Sequence, residues 1–297
     1  MEFAVGISFV VLFVGVYVYR IPRRRVVRRW FLLLCCALAA WIGFLGLRFL
    51  LPLELRIQTL NITLLPVIFA PYFFFKLIDS TFRPHRVEPS INKLLNAICI
   101  GYFLVIVFFG RFAEVQDVAR FAYKPTGNYH LLIVYCSLYF LASVVVMWRG
   151  IRGIRGGTSR VRAILISSGT VVALLTTIFF VYFLPLRGIF LAHYSSIGVG
   201  IGLIIIGIAM VQDNIFRIKW NLLSGADVPL LSKISLGFVL ALYKFSDPRE
   251  YESDYRRQRV AFAENLLYSD LELRLKTDLD VRMRALFLVD KYKKYIK

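Results

Sequence analysis

Long apolar runs constrain this chain more than any other feature of its sequence. A helix needs about 20 mostly apolar residues to cross the hydrocarbon core of a bilayer. The runs of that length are Phe3–Tyr19, Trp30–Leu51, Leu60–Ile78, Leu94–Gly110, Tyr129–Trp148, Ala163–Leu184 and Leu191–Val211. The hydrophobic fraction of 59% also exceeds the share typical of soluble domains. The sequence therefore predicts an all-α, polytopic membrane protein with a seven-transmembrane helix bundle.

Basic residues alternate between the connectors of these runs and predict the orientation of the chain. The first, third and fifth connectors are rich in arginine, and the other connectors are poorer in it. Because Lys and Arg accumulate in short cytoplasmic loops, we expect a multi-pass protein of the cell inner (cytoplasmic) membrane. Its N-terminus is predicted outside and its C-terminus in the cytoplasm. The net charge of +19 should attract anionic lipid headgroups, and we interpret it as a topology signal rather than as a nucleic-acid surface.

The chain divides into a predicted sensor-like bundle, residues 1–212, and a helical cytoplasmic tail, residues 213–297. Within the tail, Pro229–Tyr243 is apolar but short for a crossing, so we interpret it as an interfacial or bundle-capping helix, with an eighth span as the alternative. Asp247 followed by proline predicts a helix start. The final helix is predicted to carry an apolar stripe that needs a partner, formed by Leu275, Leu279, Met283, Leu286 and Val289.

Polar and amphipathic residues near the outer ends of spans 3, 5, 6 and 7 are the candidate ligand-binding residues. They are Asn61, His130, Tyr182, His193 and Tyr194. A bundle could bring these side chains together at its outer mouth, and an aromatic interface belt is the alternative interpretation. Arg48, near the outer end of span 2, is interpreted as reaching the outer headgroups, with a ligand contact as the alternative.

Span 7 is rich in glycine and continues directly into the tail. Gly198 and Gly202 have the small-xxx-small spacing that lets helices approach closely, and packing within the bundle is favoured over a dimer. A small shift of this helix, of the scale seen at helix interfaces, would re-aim the tail. The residues predicted to carry helix packing and signal transmission are therefore Gly198, Gly200, Gly202, Leu279 and Leu286.

The sequence lacks the common motifs for catalysis and metal binding. The four cysteines lie inside predicted spans without a Cys-x-x-Cys spacing. The sequence contains no His-Glu-x-x-His, no Gly-x-Ser-x-Gly and no P-loop. We therefore expect no catalytic residues, no metal and no cofactor, and we predict that the chain is not an enzyme.

The stretch Arg149–Lys219, together with span 2, carries a family resemblance. It holds a basic connector, a hydroxyl-rich span closing at Pro185, a short outer turn and a glycine-rich span that exits as AMVQDNIFR, while span 2 has Trp41 at its centre. The chain thereby resembles the seven-transmembrane sensor region at the N-terminus of bacterial histidine kinases. The resemblance implies a bundle that senses a stimulus and passes it to a cytoplasmic signalling module, as in two-component systems.

The tail departs from that family pattern. It contains no candidate phospho-acceptor histidine and no glycine-rich ATP-binding box, so kinase activity is not implied. We favour a signalling or sensor protein that detects a stimulus in the membrane or at its outer face and passes it through span 7 to the tail. The alternatives are a small-solute transporter, which usually has charged midplane residues or an inverted repeat, and a non-catalytic membrane scaffold.

The expected partners follow from the same features. They are anionic membrane lipids and either a cytoplasmic signalling protein or a second copy bound through the tail. The sequence does not identify the ligand, and we expect no nucleic-acid partner.

The arginine asymmetry yields a topology prediction. A reporter fused after Lys297 should behave as cytoplasmic and one inserted near Gly127 as external, because the basic connectors stay inside. Paired enzymatic and fluorescent reporters measure this. An external signal from the C-terminal fusion would show that Pro229–Tyr243 is an eighth span and that the tail is not cytoplasmic.

Overall fold

The computed structural model describes residues 2–21, 25–48, 50–83, 89–119, 122–153, 157–212 and 229–296. The first helices are α1 (Glu2–Arg20), α2 (Arg25–Leu47), α3 (Leu53–Ile62), α4 (Leu65–Phe82) and α5 (Ser90–Phe108). A hairpin of β1 (Ala113–Asp117) and β2 (Ala122–Pro125) precedes α6 (Gly127–Gly153) and α7 (Gly157–Thr177). Helix α7 continues as a π-helical segment (Ile178–Phe183) and the short α8 (Leu184–Leu186).

The remaining helices follow a short turn. A 3₁₀ turn (Ala192–Tyr194) leads into α9 (Ser195–Val211), and the tail contributes α10 (Leu230–Ser246), α11 (Pro248–Lys276) and α12 (Val281–Ile296).

Seven helical stretches within the described residues are long and apolar enough to cross a membrane. They are Phe3–Arg20, Arg25–Leu47, Glu54–Phe82, Ser90–Phe108, Gly127–Arg152, Ser159–Leu186 and Ala192–Val211. The prediction of an all-α, seven-transmembrane bundle is confirmed. The largest difference in bounds is at the start of the third span, predicted at Leu60 and observed at Glu54.

The described chain separates into two compact units. The first comprises Met1–Arg155 and Ala163–Met210, and the second comprises Gly156–Arg162 and Val211–Lys297. The first turns of α7 therefore group with the tail helices, although α7 itself is one continuous helix.

Helix α2 is the centre of the first part of the bundle, since it contacts both α1 and α4, and α4 in turn contacts α6. Its buried residues include Phe31, Leu34, Ile42 and Leu45, which recur at the spacing of one helical face. Trp41, noted from the sequence, is also buried. The apolar period of α2 thus positions it between two neighbours.

The third span is interrupted near its middle. Helix α3 ends at Ile62, and α4 begins at Leu65 with Pro66 in its first turn. Proline suits this position because the first helical turn does not use its backbone N–H groups. At the interruption, the Thr63 hydroxyl donates to the Leu60 carbonyl at 2.6 Å, which satisfies a buried polar group within the helix.

Glycines bring α7 and α9 into close approach. A Cβ atom on Gly202 would overlap the carbonyl oxygen of Gly169 and lie 2.9 Å from the Ala173 Cβ, and a Cβ on Gly169 would lie 2.6 Å from the Gly202 carbonyl oxygen. Gly198 faces Thr176 in the same manner. The two backbones therefore meet at a distance that only small residues allow.

Gly200 lies on a different face of α9. A Cβ atom there would lie 2.9 Å from the Ile7 Cγ2 of α1. Helix α9 consequently presents glycine to two neighbours within the bundle.

The tail helices α11 and α12 contact each other. The Ser269 and Tyr292 hydroxyls hydrogen-bond at 2.8 Å, and the Phe262 and Tyr292 rings meet edge to face at 5.5 Å. The predicted start of α11 is confirmed, because the Asp247 carboxylate accepts from the Glu250 N–H at 3.2 Å and Pro248 follows it.

The predicted extent of the final helix is wrong. Thr277 is extended at φ −140° and ψ 149° and ends α11, while α12 begins at Val281, whose N–H donates to the Asp280 carboxylate at 2.7 Å. Leu279 therefore lies in the connector, and Leu286 lies on α12. The stripe residues are exposed, and local capping chemistry separates residues that one long helix would align.

The glycine contact between α7 and α9 gives a stability prediction. Gly202→Leu should lower the free energy of unfolding by about 1–3 kcal/mol, because the new side chain must displace backbone atoms of α7. Denaturation in detergent, followed by circular dichroism, measures the change. Gly101→Leu is the matched control, since a Cβ atom on Gly101 meets nothing within 4 Å. Equal stability of the two variants would contradict the close approach.

Candidate functional site

A β-hairpin closes one end of the bundle, which we term the hairpin end. The register pairs Ala113 with Pro125 and Glu114 with Lys124. Thr126 holds the hairpin's base, since its hydroxyl is 2.8 Å from the Phe112 carbonyl oxygen. These two strands were not predicted from the sequence.

Asn61 supports the hairpin rather than an open site. Its side chain is buried, and its Oδ1 accepts hydrogen bonds from the Phe112 N–H at 3.1 Å and the Ala113 N–H at 3.3 Å. Two backbone donors at the start of β1 are thereby satisfied in a buried setting, where unsatisfied donors cost free energy.

Two tyrosines connect the hairpin and α6 to span 6. The Tyr123 hydroxyl donates to the Val181 carbonyl at 3.0 Å, and the Tyr129 hydroxyl donates to the same oxygen at 3.3 Å. Burial raises the pKa of Tyr123, so its hydroxyl stays protonated and able to donate. Val181 belongs to the π-helical segment. This backbone form is rare in proteins as a whole, and where it occurs it often lies at a functional site.

His130 and Tyr182 form a pair beside this connection. The His130 Nδ1 lies 3.1 Å from the Tyr182 hydroxyl, and the rings meet edge to face. The Tyr182 ring also stacks on Tyr129 with ring centroids 6.4 Å apart. His130 is exposed, and Tyr182 is half-buried, so the pair is open to solutes or lipid.

A second aromatic group lies at the start of span 7. The His193 and Tyr194 rings are 4.4 Å apart, and Phe3 of α1 lies 5.7 Å from His193 and 5.5 Å from Tyr194. Phe180 of the π-helical segment lies 5.9 Å from Tyr194. The predicted ligand-binding residues therefore lie in three places: Asn61 under the hairpin, His130 with Tyr182, and His193 with Tyr194.

A small cavity of about 30 Å³ lies among these groups, with room for one or two water molecules. Its lining is Trp41, Leu45, Arg48, Leu60, Thr63, Leu64, Ala113, Tyr123, Tyr129, Val181 and Ala192. None of the predicted ligand-binding residues lines it. Four of the predicted residues each come one position after a lining residue; these lining residues are Leu60, Tyr129, Val181 and Ala192. A step of one residue turns a helical side chain by about 100°, which explains why the predicted side chains do not face the cavity.

Arg48 is a lining residue that the sequence analysis interpreted differently. Its side chain is only 3% exposed and faces the cavity. The interpretation that it reaches the outer headgroups is therefore wrong. The reason is tertiary: the hairpin residues Ala113 and Tyr123 line the same cavity, and the sequence did not reveal that a hairpin would cover the end of α2.

The second unit contains a polar group of contacts that we term the junction cluster. It joins residues 157–162, at the start of α7, and Gln212, just past α9, to α10 and α11. The Arg162 guanidinium donates to the Gln212 carbonyl at 3.1 Å, and the Gln212 side-chain amide donates to the Ser235 hydroxyl at 2.9 Å. The residue that follows span 7 is thus bonded both to the start of span 6 and to α10.

The other side of the junction cluster holds the start of α11. Arg160 forms a salt bridge of 2.9 Å with Asp247, and the Gly157 N–H donates to the Glu250 carboxylate. The Tyr243 hydroxyl donates to Asp254 at 3.0 Å, and burial raises the pKa of Tyr243. That residues at the start of span 6 join this cluster was not predicted from the sequence.

No group of three or more His, Cys, Asp or Glu residues that could hold a metal ion occurs within the described parts of the chain. The four cysteines are free thiols.

The role of Asn61 gives a second stability prediction. Asn61→Leu should lower the free energy of unfolding by about 1–3 kcal/mol, because two buried N–H groups lose their acceptor. Thermal unfolding in detergent measures it. Asn128→Leu is the control: the Asn128 amide bonds the Arg111 carbonyl at 3.2 Å in an exposed setting, where water can replace it. A harmless Asn61→Leu change would show that the hairpin does not depend on this side chain.

The comparisons with known proteins agree with this architecture. A family model described as the N-terminal 7TM region of histidine kinase matches residues 4–219. A comparison with curated proteins and one with solved structures each returned no match. The matched region covers the seven spans except Phe3, the first residue of the first span. It ends before α10 and supports a sensor or signalling role in a membrane. The chain therefore belongs to the family of N-terminal 7TM regions of histidine kinases.

Proposed function

We propose that this protein is a membrane sensor whose signal leaves the bundle through spans 6 and 7 together. A stimulus in the membrane or at the hairpin end would shift these helices, and the tail would pass the shift to a separate signalling protein. In this proposal the tail lies in the cytoplasm, as the distribution of arginine predicts.

The junction cluster is the observation that carries the proposal. Gln212 directly follows α9, and its side chain is bonded to Ser235 of α10. Arg160 on α7 is bonded to Asp247, which also caps α11. A displacement of either span would therefore act on a bonded residue of the tail, Ser235 within α10 or Asp247 at the start of α11, at the ångström scale on which packed helices shift.

Contacts at the hairpin end would let a stimulus there act on the same two spans. The Val181 carbonyl of span 6 accepts from Tyr123 and Tyr129, and His193 and Tyr194 stand at the start of span 7. Each span is a continuous helix or nearly so, and a packed helix transmits motion along its length. The contact at Gly169 and Gly202 makes the two spans move as neighbours.

Experiments separate the sensor from the transporter and scaffold alternatives. A transporter would move a solute in proteoliposomes, and a scaffold would bind without a change of state. The family membership favours a sensor over both alternatives, because the matched region is the sensing part of histidine kinases.

Photo-crosslinking from the tail tests the proposal. A photoreactive amino acid at Leu286, which is exposed on α12, should capture a kinase, a cyclase or a response regulator in intact cells. Arg160→Asp should change the capture yield several-fold, because it breaks the link to α11, whereas Arg160→Lys, which keeps the positive charge beside Asp247, should retain most of the yield. Thermal stability should change little, since partly exposed salt bridges contribute about 0–1 kcal/mol.

A control substitution elsewhere in the tail distinguishes the loss of the Arg160 link from a general effect of changing a charge in the tail. Lys276 and Glu272 form an exposed pair of 2.7 Å far from the junction cluster, so Lys276→Asp should leave the yield unchanged. Capture of copies of this chain alone would favour the scaffold. A yield insensitive to Arg160→Asp would remove span 6 from the signal route while leaving the sensor role itself intact.

A further inference from the structure

Helix α10 has two distinct faces. One face carries Ser232, Ser235, Val239 and Tyr243, all buried, with Val239 and Tyr243 fully so. Ser235 is bonded to Gln212, and Tyr243 is bonded to Asp254. This face is therefore occupied within the second unit, and the helix cannot rotate to bury its other face without breaking these bonds.

The anchor points fix the direction of α10. Its first half is bonded to Gln212, the residue that follows the last apolar residue of α9. Its second half lies against Gly157, because a Cβ atom there would overlap the Tyr243 ring, and Gly157 precedes the span that begins at Ser159. Both anchors lie within two residues of the end of an apolar span. Within the second unit, α10 therefore runs from the residue next to span 7 to the residues just before span 6.

The distance between the anchors agrees with this direction. Ser235 and Tyr243 are eight residues apart on a helix, which corresponds to about 12 Å. Packed helices have axes about 8–10 Å apart, so α10 is long enough to bridge the ends of two adjacent spans. The Arg162 donation to the Gln212 carbonyl at 3.1 Å shows that these two ends are adjacent.

The opposite face of α10 is apolar, exposed and basic along one margin. The side chains of Leu230, Ile234, Phe238 and Phe245 are 63%, 75%, 63% and 88% exposed, and their spacing places them in one row. Lys233 and Lys244 both lie along the same edge of this row and are also exposed. The helix contains no acidic residue.

We propose that this face of α10 is a membrane-docking surface for anionic lipids. The apolar row enters the boundary between headgroups and acyl chains, and Lys233 and Lys244 bind the headgroup phosphates. Helices with an apolar stripe and lysines bind at such depths, and lysines near an anionic surface are attracted to its headgroups. The proposal concerns a surface separate from the tail partner and holds with or without that partner.

Charge and length favour a bilayer over the other occupants. In a symmetric contact between two copies, each face would present lysines and no carboxylate, so like charges would meet. As an eighth span, the 17 residues of α10 would cover only about 26 Å of a core about 30 Å thick. Insertion would also break the Ser235 and Tyr243 bonds. Docking on an anionic surface keeps these bonds and satisfies the exposed face.

Lipid photo-crosslinking tests this surface in the full chain. The protein would be reconstituted in vesicles of phosphatidylcholine with phosphatidylglycerol, carrying benzoyl-phenylalanine in place of Phe238 or, separately, Ile234. Irradiation should give phospholipid adducts, read by intact mass. The same probe at Val239 should crosslink within the chain, because that position is buried. The probe at Tyr268, 69% exposed on α11, gives the background.

The charge arm uses Lys233→Glu together with Lys244→Glu. The share of phosphatidylglycerol among the adducts should fall about two-fold or more, with the bundle still inserted. An unchanged share would overturn the headgroup assignment. Adducts to a second copy, or no lipid adduct above the Tyr268 background at both Phe238 and Ile234, would overturn the docking surface itself.

Discussion

The close approach of α7 and α9 at Gly169 and Gly202 is the contact on which the packing of spans 6 and 7 depends. Membrane helices gain no hydrophobic free energy from one another, so small residues and backbone contact supply their association. Span 6 also carries the Val181 carbonyl, which accepts from Tyr123 and Tyr129, and span 7 begins at Ala192, next to His193. Shifting one span against the other would therefore disturb the contacts at the hairpin end.

Polar groups at the hairpin end and in the junction cluster differ in their partners. At the hairpin end, Asn61, Tyr123 and Tyr129 each bond a backbone group. The junction cluster combines contacts to backbone, such as Arg162 with the Gln212 carbonyl, with contacts between side chains, such as Arg160 with Asp247. Both groups join residues that are far apart in the chain.

The residues predicted from the sequence lie next to the cavity-lining residues along the chain but do not line the cavity themselves. His130, Tyr182 and His193 were identified because polar aromatics near span ends are conspicuous, yet the cavity is lined by Tyr129, Val181 and Ala192. Composition does not show which of two consecutive helical residues faces a cavity. The packing of neighbouring helices against each face decides it. Arg48 was assigned to lipid for the same reason, since its covering hairpin is formed by residues far along the chain.

The sequence by itself determined the spans, the start of α11 at Asp247 and Pro248, and the family, because apolar length and capping chemistry are local properties. Only the tertiary structure decided that Gly202 faces Gly169, that Asn61 holds the hairpin, that span 6 shares the junction with span 7, and that Leu279 leaves the last helix. Each of these features depends on residues distant in the chain, except the position of Leu279, which depends on where Thr277 ends α11 and Asp280 starts α12. Their outcome is set by packing, where geometry selects one partner among several that the sequence allows.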